Sequence, residues 1–159
     1  NGMTIPSGPL RESFNNLKDY EHVFLNGNLE NMKKIKDQIM KINPKINIYL
    51  GKYEPINLSE FNKSEKYFVF SGIGNHKTFV SMLKNYGLNI IKDLEFPDHY
   101  KYSKKDIDKI CFLAKELNSK IITTEKDFLR IDYKIEQEIK FIRSELKILN
   151  KEKFLSYLI

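Results

Sequence analysis

"YFVFSGIGNHKTFVSMLKNYGLNIIKDLEF", residues 67–96, changes its periodicity twice. Residues 67–70 are continuously apolar and run into Gly72 and Gly74, the pattern of a buried strand that ends in a tight turn. From Asn75 onward the apolar residues Phe79, Val80, Met82 and Leu83 recur at helical spacing. Asn75 is placed to cap that helix and Gly87 to stop it. Residues 88–96 then read as a second strand. A strand, a helix and a strand in this order form one α/β unit, which favours parallel pairing.

The same alternation extends in both directions. On the C-terminal side Ser103 can cap a helix over 104–120, with Ile107, Ile110, Cys111, Leu113 and Ala114 facing inward. Residues 121–127 read as a strand running into a short helical turn, 139–148 as a last strand and 151–159 as a closing helix. On the N-terminal side "NKSEK", 62–66, is a polar joint. Residues 45–61, with Gly51 and Pro55, read as an exposed two-stranded ribbon. Asn28 can cap a helix over 29–42 that presents Leu29, Met32, Ile35, Ile39 and Ile42 on one face and stops at Pro44. Residues 21–26 are a short strand, and Pro9 can open a short helix reaching Tyr20. The fold class that follows is α/β, a three-layer sandwich with a largely parallel sheet.

Composition is consistent with this. The chain has 159 residues, 41% of them apolar and 13% aromatic, which suits a folded domain and argues against disorder. A chain of this size buries roughly 70% of its unfolded surface, so it needs no staple. Its single cysteine, Cys111, lies in an apolar run and excludes a disulfide within the chain. No stretch approaches the ~18 consecutive apolar residues of a spanning helix, and the opening "NGMTIPSGPL" lacks the pattern of a secretory signal. The net charge is +6, from 27 basic and 21 acidic residues. Such a charge suits nucleic acid or an anionic membrane face. The lysines are spread along the chain, however, and only Arg11 and Arg130 precede Arg143, which speaks for composition rather than a dedicated nucleic-acid patch.

Four stretches can carry chemistry. In "FSGIGNHKTF", 70–79, the glycine turn opens a helix whose free N–H groups suit an anion. The alternative is simply a tight strand-to-helix turn, because neither a Walker A loop nor the third glycine of a dinucleotide fingerprint is present. His76 in this helix start and His22 in the first strand read as structural or surface residues. In "FPDHYKYSKKDI", 96–107, Asp98 and His99 follow a strand end, where open α/β sheets bind ligands. An imidazole there can move a proton or orient a carboxylate, or it can decorate a turn. In "ITTEKD", 122–127, the threonines, Glu125, Lys126 and Asp127 are either a polar site or helix capping. In "PSGPLRES", 6–13, Arg11 offers a fork for phosphate or carboxylate with Glu12 beside it, or the two form a surface ion pair.

In their order and spacing, "PSGPLRE", "FSGIGNHKTF", "FPDHYKYSKKDI" and "ITTEKD" resemble the tetraacyldisaccharide 4'-kinase family, the lipid A kinases of Gram-negative bacteria. The resemblance covers about residues 5–148. Family members often have alanine at the position of Ser7 and a second histidine at that of Tyr100. The resemblance implies an enzyme of about twice this length, with an N-terminal P-loop lobe that holds ATP and Mg2+ and a β-ribbon leading to a second α/β lobe. Residues 1–45 would then be the terminal portion of the P-loop kinase lobe, 46–62 the ribbon, and 63–159 the C-terminal α/β lobe.

By the same resemblance Asp98 and His99 are catalytic residues, His99 working with an aspartate of the other lobe. Arg11, Glu12, Asn75, Lys126 and Asp127 are substrate-binding candidates, and no metal ligand is expected in this chain. The implied reaction transfers the ATP γ-phosphate to the 4' hydroxyl of a tetraacyldisaccharide 1-phosphate. The implied partners are that lipid A disaccharide precursor, the P-loop lobe and the cytoplasmic face of the inner membrane, on which the enzyme sits peripherally; no nucleic acid is expected. A chain that starts at Asn1 and carries no G-x-x-x-x-G-K-[ST] is expected to be a C-terminal fragment, a decay product or one member of a split pair, and inactive alone. The alternative is a stand-alone, non-enzymatic α/β module that binds nucleic acid or a protein through its basic surface.

Overall fold

The computed structural model describes residues 11–27, 29–132 and 138–158. In chain order the regular elements are β1 (His22–Asn26), α1 (Leu29–Ile42), β2 (Asn47–Pro55), β3 (Lys66–Ser71), α2 (His76–Asn85), β4 (Asn89–Glu95), α3 (Lys104–Glu116), β5 (Lys120–Thr124), α4 (Glu125–Phe128), β6 (Ile139–Ile142), β7 (Ser144–Ile148) and α5 (Lys151–Leu158). They divide into two units, Asn1–Tyr53 with Leu146–Ile159, and Glu54–Glu145.

The first unit is a βαβ unit with an added strand and helix. β1 pairs with β2 in parallel, His22 opposite Asn47 and Asn26 opposite Gly51, and β7 lies on the other side of β2. Met32 and Ile39 of α1 are buried along with Ile46 and Tyr49, whereas Ile35 and Ile42 of the expected face are only half-buried. From α5, Phe154 meets the rings of Phe24 and Tyr49 at 5.7 and 5.2 Å between centroids. Of the helix expected from Pro9 to Tyr20, the structure has a 3-10 turn at Phe14–Asp19. Residues 1–10 and the Asn28 cap lie outside the described residues.

The second unit has a four-stranded, all-parallel sheet in the order β4-β3-β5-β6. Side chains of β3 alternate between its two faces. Phe68 and Phe70 pack with Ile107, Ile110 and Ala114 of α3, while Tyr67 and Val69 pack with Phe79, Val80 and Leu83 of α2. Helices therefore cover both faces, which is the three-layer arrangement expected. Burying a phenylalanine, valine or leucine of this core contributes about 1.5–3 kcal/mol each. Asn75 caps α2 by accepting from the Thr78 N–H, and Ser103 caps α3 in a capping box with Asp106. Gly87 ends α2 at φ +87°, a left-handed conformation that side chains resist.

Two expectations need correction. Residues 45–61 do not form a two-stranded ribbon on their own: β2 is a single strand held between β1 and β7. Gly51 marks a close approach and not a break, because a Cβ there would lie 2.5 Å from Cζ of Phe24. Residues 139–148 are two strands in two sheets, parted at Arg143, whose N–H donates to Asn57 Oδ1 and whose carbonyl accepts from the Ile56 N–H. The units part at 53/54 and 145/146. Residues 146–159 belong with the first unit because β7 pairs with β2 and α5 sets Phe154 on Phe24 and Tyr49.

Candidate functional site at the strand ends

From β3 the chain goes to β4 on one side and later to β5 on the other, so the topology switches between β3 and β5. The C-terminal ends of such strands diverge and leave a crevice, the usual ligand position in open α/β sheets. Here those ends carry Gly72, after β3, and Asp127, in the short helix after β5.

Asp127 is fully buried. Its Oδ2 accepts from the Gly72 N–H at 3.0 Å and from the Thr124 hydroxyl at 2.7 Å, while Thr124 in turn accepts from the Asp127 N–H at 3.1 Å. Its Oδ1 accepts from Arg130 Nη1 at 3.4 Å. The other terminal nitrogen of Arg130, Nη2, lies 3.0 Å from His99 Nδ1. The strand ends are thus linked through one carboxylate and one guanidinium to the Asp98–His99 turn.

That turn is unusual in its backbone. His99 has φ 61°, a left-handed conformation that costs a residue other than glycine roughly 1–2 kcal/mol. Two acceptors hold its N–H, the Gly72 carbonyl at 3.1 Å and Asp98 Oδ1 at 2.9 Å. The imidazole itself is 71% exposed, with Nε2 3.8 Å from Asp98 Oδ2, beyond hydrogen-bonding distance. Gly72 is required for the turn to sit here: a Cβ would come within 3.0 Å of both the Pro97 carbonyl and the Tyr102 hydroxyl. The Tyr102 hydroxyl is buried and, among the described residues, has no partner at hydrogen-bonding geometry. Burial, then the negative charge of Asp127, pushes its ionisation far up.

The other expected site residues are placed as follows. Asn75 is exposed at the start of α2, its side-chain oxygen taken by the Thr78 N–H at 3.3 Å. Lys126 is exposed on α4. Arg11 and Glu12 are exposed in the first unit, where Glu12 accepts from Tyr20 and, at longer range, from Asn16. The structure therefore brings together Asp98, His99 and Asp127. Sequence reading placed Thr124 in the same stretch as Asp127 but missed Arg130 as the link to His99. The one available signal was the scarcity of arginine, with Arg130 two residues beyond "TEKDF".

His76 takes the structural one of its two readings. It is buried, not solvated, with Nδ1 2.6 Å from Ser71 Oγ and Nε2 3.0 Å from Asp93 Oδ2. A carboxylate can only accept, so hydrogen sits on Nε2 and Nδ1 accepts from the serine. Ser71 is itself fully buried, so this relay braces the end of β3 against α2 and β4 and offers no nucleophile to a ligand.

The family model for tetraacyldisaccharide-1-P 4'-kinase matches residues 1–159. This chain belongs to the tetraacyldisaccharide 4'-kinase family. A tetraacyldisaccharide 4'-kinase of Pelagibacter ubique is 58% identical over all of this chain and 51% of its own length. One from Rickettsia bellii is 42% identical over 82% of this chain and 39% of its own. The chain thus spans about half the length, or less, of the curated relatives it matches. In fold it resembles the crystal structure of LpxK from Aquifex aeolicus in complex with ATP, at a TM-score of 0.54 and 21% identity over 98% of this chain and 47% of that one. These kinases match the C-terminal half of the family's length, in line with the resemblance carried by the four stretches. None of the comparisons favours the stand-alone nucleic-acid module.

Proposed function

We propose that this chain supplies the C-terminal half of a kinase that transfers the ATP γ-phosphate to the 4' hydroxyl of a tetraacyldisaccharide 1-phosphate. The observation that carries the reading is the Asp98–His99 turn, braced at the topological switch point by the buried Asp127 and Arg130, in a chain that the family matches from end to end.

His99 is the catalytic residue of this half, orienting or polarising the carboxylate that takes the sugar hydroxyl proton. Phosphoryl transfer depends mostly on positioning and charge stabilisation, and one such group contributes about 10²–10⁴-fold. Asp98 holds the turn through the His99 N–H. Arg11, Glu12, Asn75 and Lys126 are exposed and suited to contact substrate, whereas Asp127, fully buried with both oxygens engaged, serves as the brace.

ATP and Mg2+ do not fit the residues present here. The chain contains no G-x-x-x-x-G-K-[ST], and among the described residues no group of three or more His, Cys, Asp or Glu could hold a metal ion. Both are assigned to the P-loop lobe in the half of the relatives that this chain does not span, with residues 1–45 as its tail. β2 and β7, along which the chain passes between the units, take the part of the ribbon. No described helix is long and apolar enough to cross a membrane. Peripheral attachment to the cytoplasmic face of the inner membrane, where the lipid substrate lies, completes the reading.

The test joins this chain to the preceding half of the Pelagibacter relative and measures phosphate transfer to the tetraacyldisaccharide. The hybrid should be active, the chain alone inactive, and His99→Ala in the hybrid at least tenfold slower with its fold intact. A folded but inactive hybrid, or one indifferent to His99→Ala, overturns the reading.

A further inference from the structure

We infer that Arg130 is a positioning residue that sets the tautomer of His99, so that the imidazole enters the site as a hydrogen-bond donor at Nε2 and not as a base. The guanidinium has five N–H donors and no acceptor. Its Nη2 lies 3.0 Å from His99 Nδ1, so Nδ1 must present its lone pair and the ring hydrogen must reside on Nε2. A histidine acting as base at Nε2 needs the opposite tautomer, with hydrogen on Nδ1 facing the guanidinium, and that arrangement sets donor against donor.

The arginine is itself held in place. Nη1 donates to Asp127 Oδ1 at 3.4 Å and, more weakly, to the Gly72 carbonyl at 3.5 Å. Asp127 is fixed by the Thr124 hydroxyl and the Gly72 N–H. A side chain that is 71% exposed is thereby held at both its ring and its backbone by a buried network. Such pre-organisation of an exposed group belongs to working sites rather than to surface decoration. The Nε2–H, 3.8 Å from Asp98 Oδ2, is left to donate to an oxygen of the substrate or to the base carboxylate. In catalytic terms this deepens the kinase reading and rests on it; the tautomer itself does not.

The experiment uses the chain with 15N-labelled histidine at about pH 8, where an ordinary imidazole is neutral. Long-range proton–nitrogen correlation shows which ring nitrogen of each histidine carries hydrogen. His99 should carry it on Nε2 alone, and Arg130→Ala and Arg130→Lys should each give a mixture of tautomers. Lysine keeps a cation beside Asp127 but has no fork to reach both partners. His76, fixed between Ser71 and Asp93, reports whether the fold survives; if Arg130→Ala loses its signature, Arg130→Lys decides. Hydrogen on Nδ1 of His99 in the unaltered chain, or a tautomer indifferent to both substitutions, overturns the inference. In the hybrid enzyme Arg130→Lys should lower kcat about tenfold or more with KM for ATP unchanged. A shifted tautomer with unchanged kcat refutes the donor role in catalysis. An inactive hybrid refutes the kinase reading and leaves the spectra to decide the tautomer.

Discussion

Replacing Asp127 with alanine removes one side chain and leaves three donors without their acceptor in a region closed to water. The Gly72 N–H, the Thr124 hydroxyl and one arm of Arg130 all lose it, at 3.0, 2.7 and 3.4 Å respectively. An unsatisfied buried donor costs about 1–3 kcal/mol, and breaking a buried ion pair costs about 3–5 kcal/mol. These are overlapping descriptions of one loss, and Arg130 keeps part of its hydration, so the expected destabilisation is about 3–5 kcal/mol and not the sum. For a chain of this length each kcal/mol lowers Tm by about 2–4 °C, giving a drop of about 6–20 °C. Urea unfolding followed by circular dichroism measures the free energy and thermal melting checks it. Asp127→Asn keeps the shape and one acceptor, and should lie between the two. A loss below about 1 kcal/mol for Asp127→Ala, the range of an ordinary surface change, would refute the claim that this carboxylate ties the strand ends together.

Gly72→Ala should cost about 1–3 kcal/mol, because its Cβ would lie 3.0 Å from the Pro97 carbonyl and the Tyr102 hydroxyl. Tyr102→Phe alone should leave urea stability unchanged or raise it, since the buried hydroxyl has no partner among the described residues, and should recover part of the loss when combined with Gly72→Ala. Additive effects in that double-mutant cycle would contradict the contact. Ser71→Ala strands Nδ1 of His76 and should cost about 1–3 kcal/mol in the same assay; a change under about 0.5 kcal/mol would mean that the relay does not brace β3. Hydrogen bonds from the Ser103 hydroxyl and N–H hold the Asp106 carboxyl below its ordinary value of 3.8. The stability this confers is therefore present above about pH 4 and fades as pH falls through the lowered value. Ser103→Ala should cost about 1 kcal/mol near neutral pH, with the gap closing as acid protonates the Asp106 carboxyl. A gap independent of pH would rule out the ionised carboxylate as the partner.

Much of the fold was legible because the relevant signals are local. The apolar run 67–70, Asn75 and Ser103 as caps and Gly87 as a stop depend on backbone geometry within a few residues, and each appears in the structure where expected. The two strands within 139–148 were not legible. The run "IKFIRSELKI" carries no glycine, proline, asparagine or aspartate to mark a turn, and its division at Arg143 is imposed by Asn57 and Ile56, more than eighty positions away. β2 was misread for a similar reason, since Gly51 weakens an isolated strand but admits the ring of Phe24 in a paired one. For His76 the structural and surface readings stayed open because nothing nearby in sequence announces Ser71 and Asp93 as partners for both ring nitrogens.

Local pattern was enough for the α/β class, for the helices and the strands before residue 139 in the second unit, and for the family, which four weak motifs specify jointly because their order and spacing are hard to meet by chance. Which of those motifs work together emerges only from their arrangement in space. Asp127, Arg130 and His99 are linked in space, although the last two stand thirty-one positions apart in the chain. The reason is topological: parallel strands deliver their C-terminal ends to one edge of the sheet however far apart they lie in the chain, and the side chains meeting there then choose their partners by distance and charge.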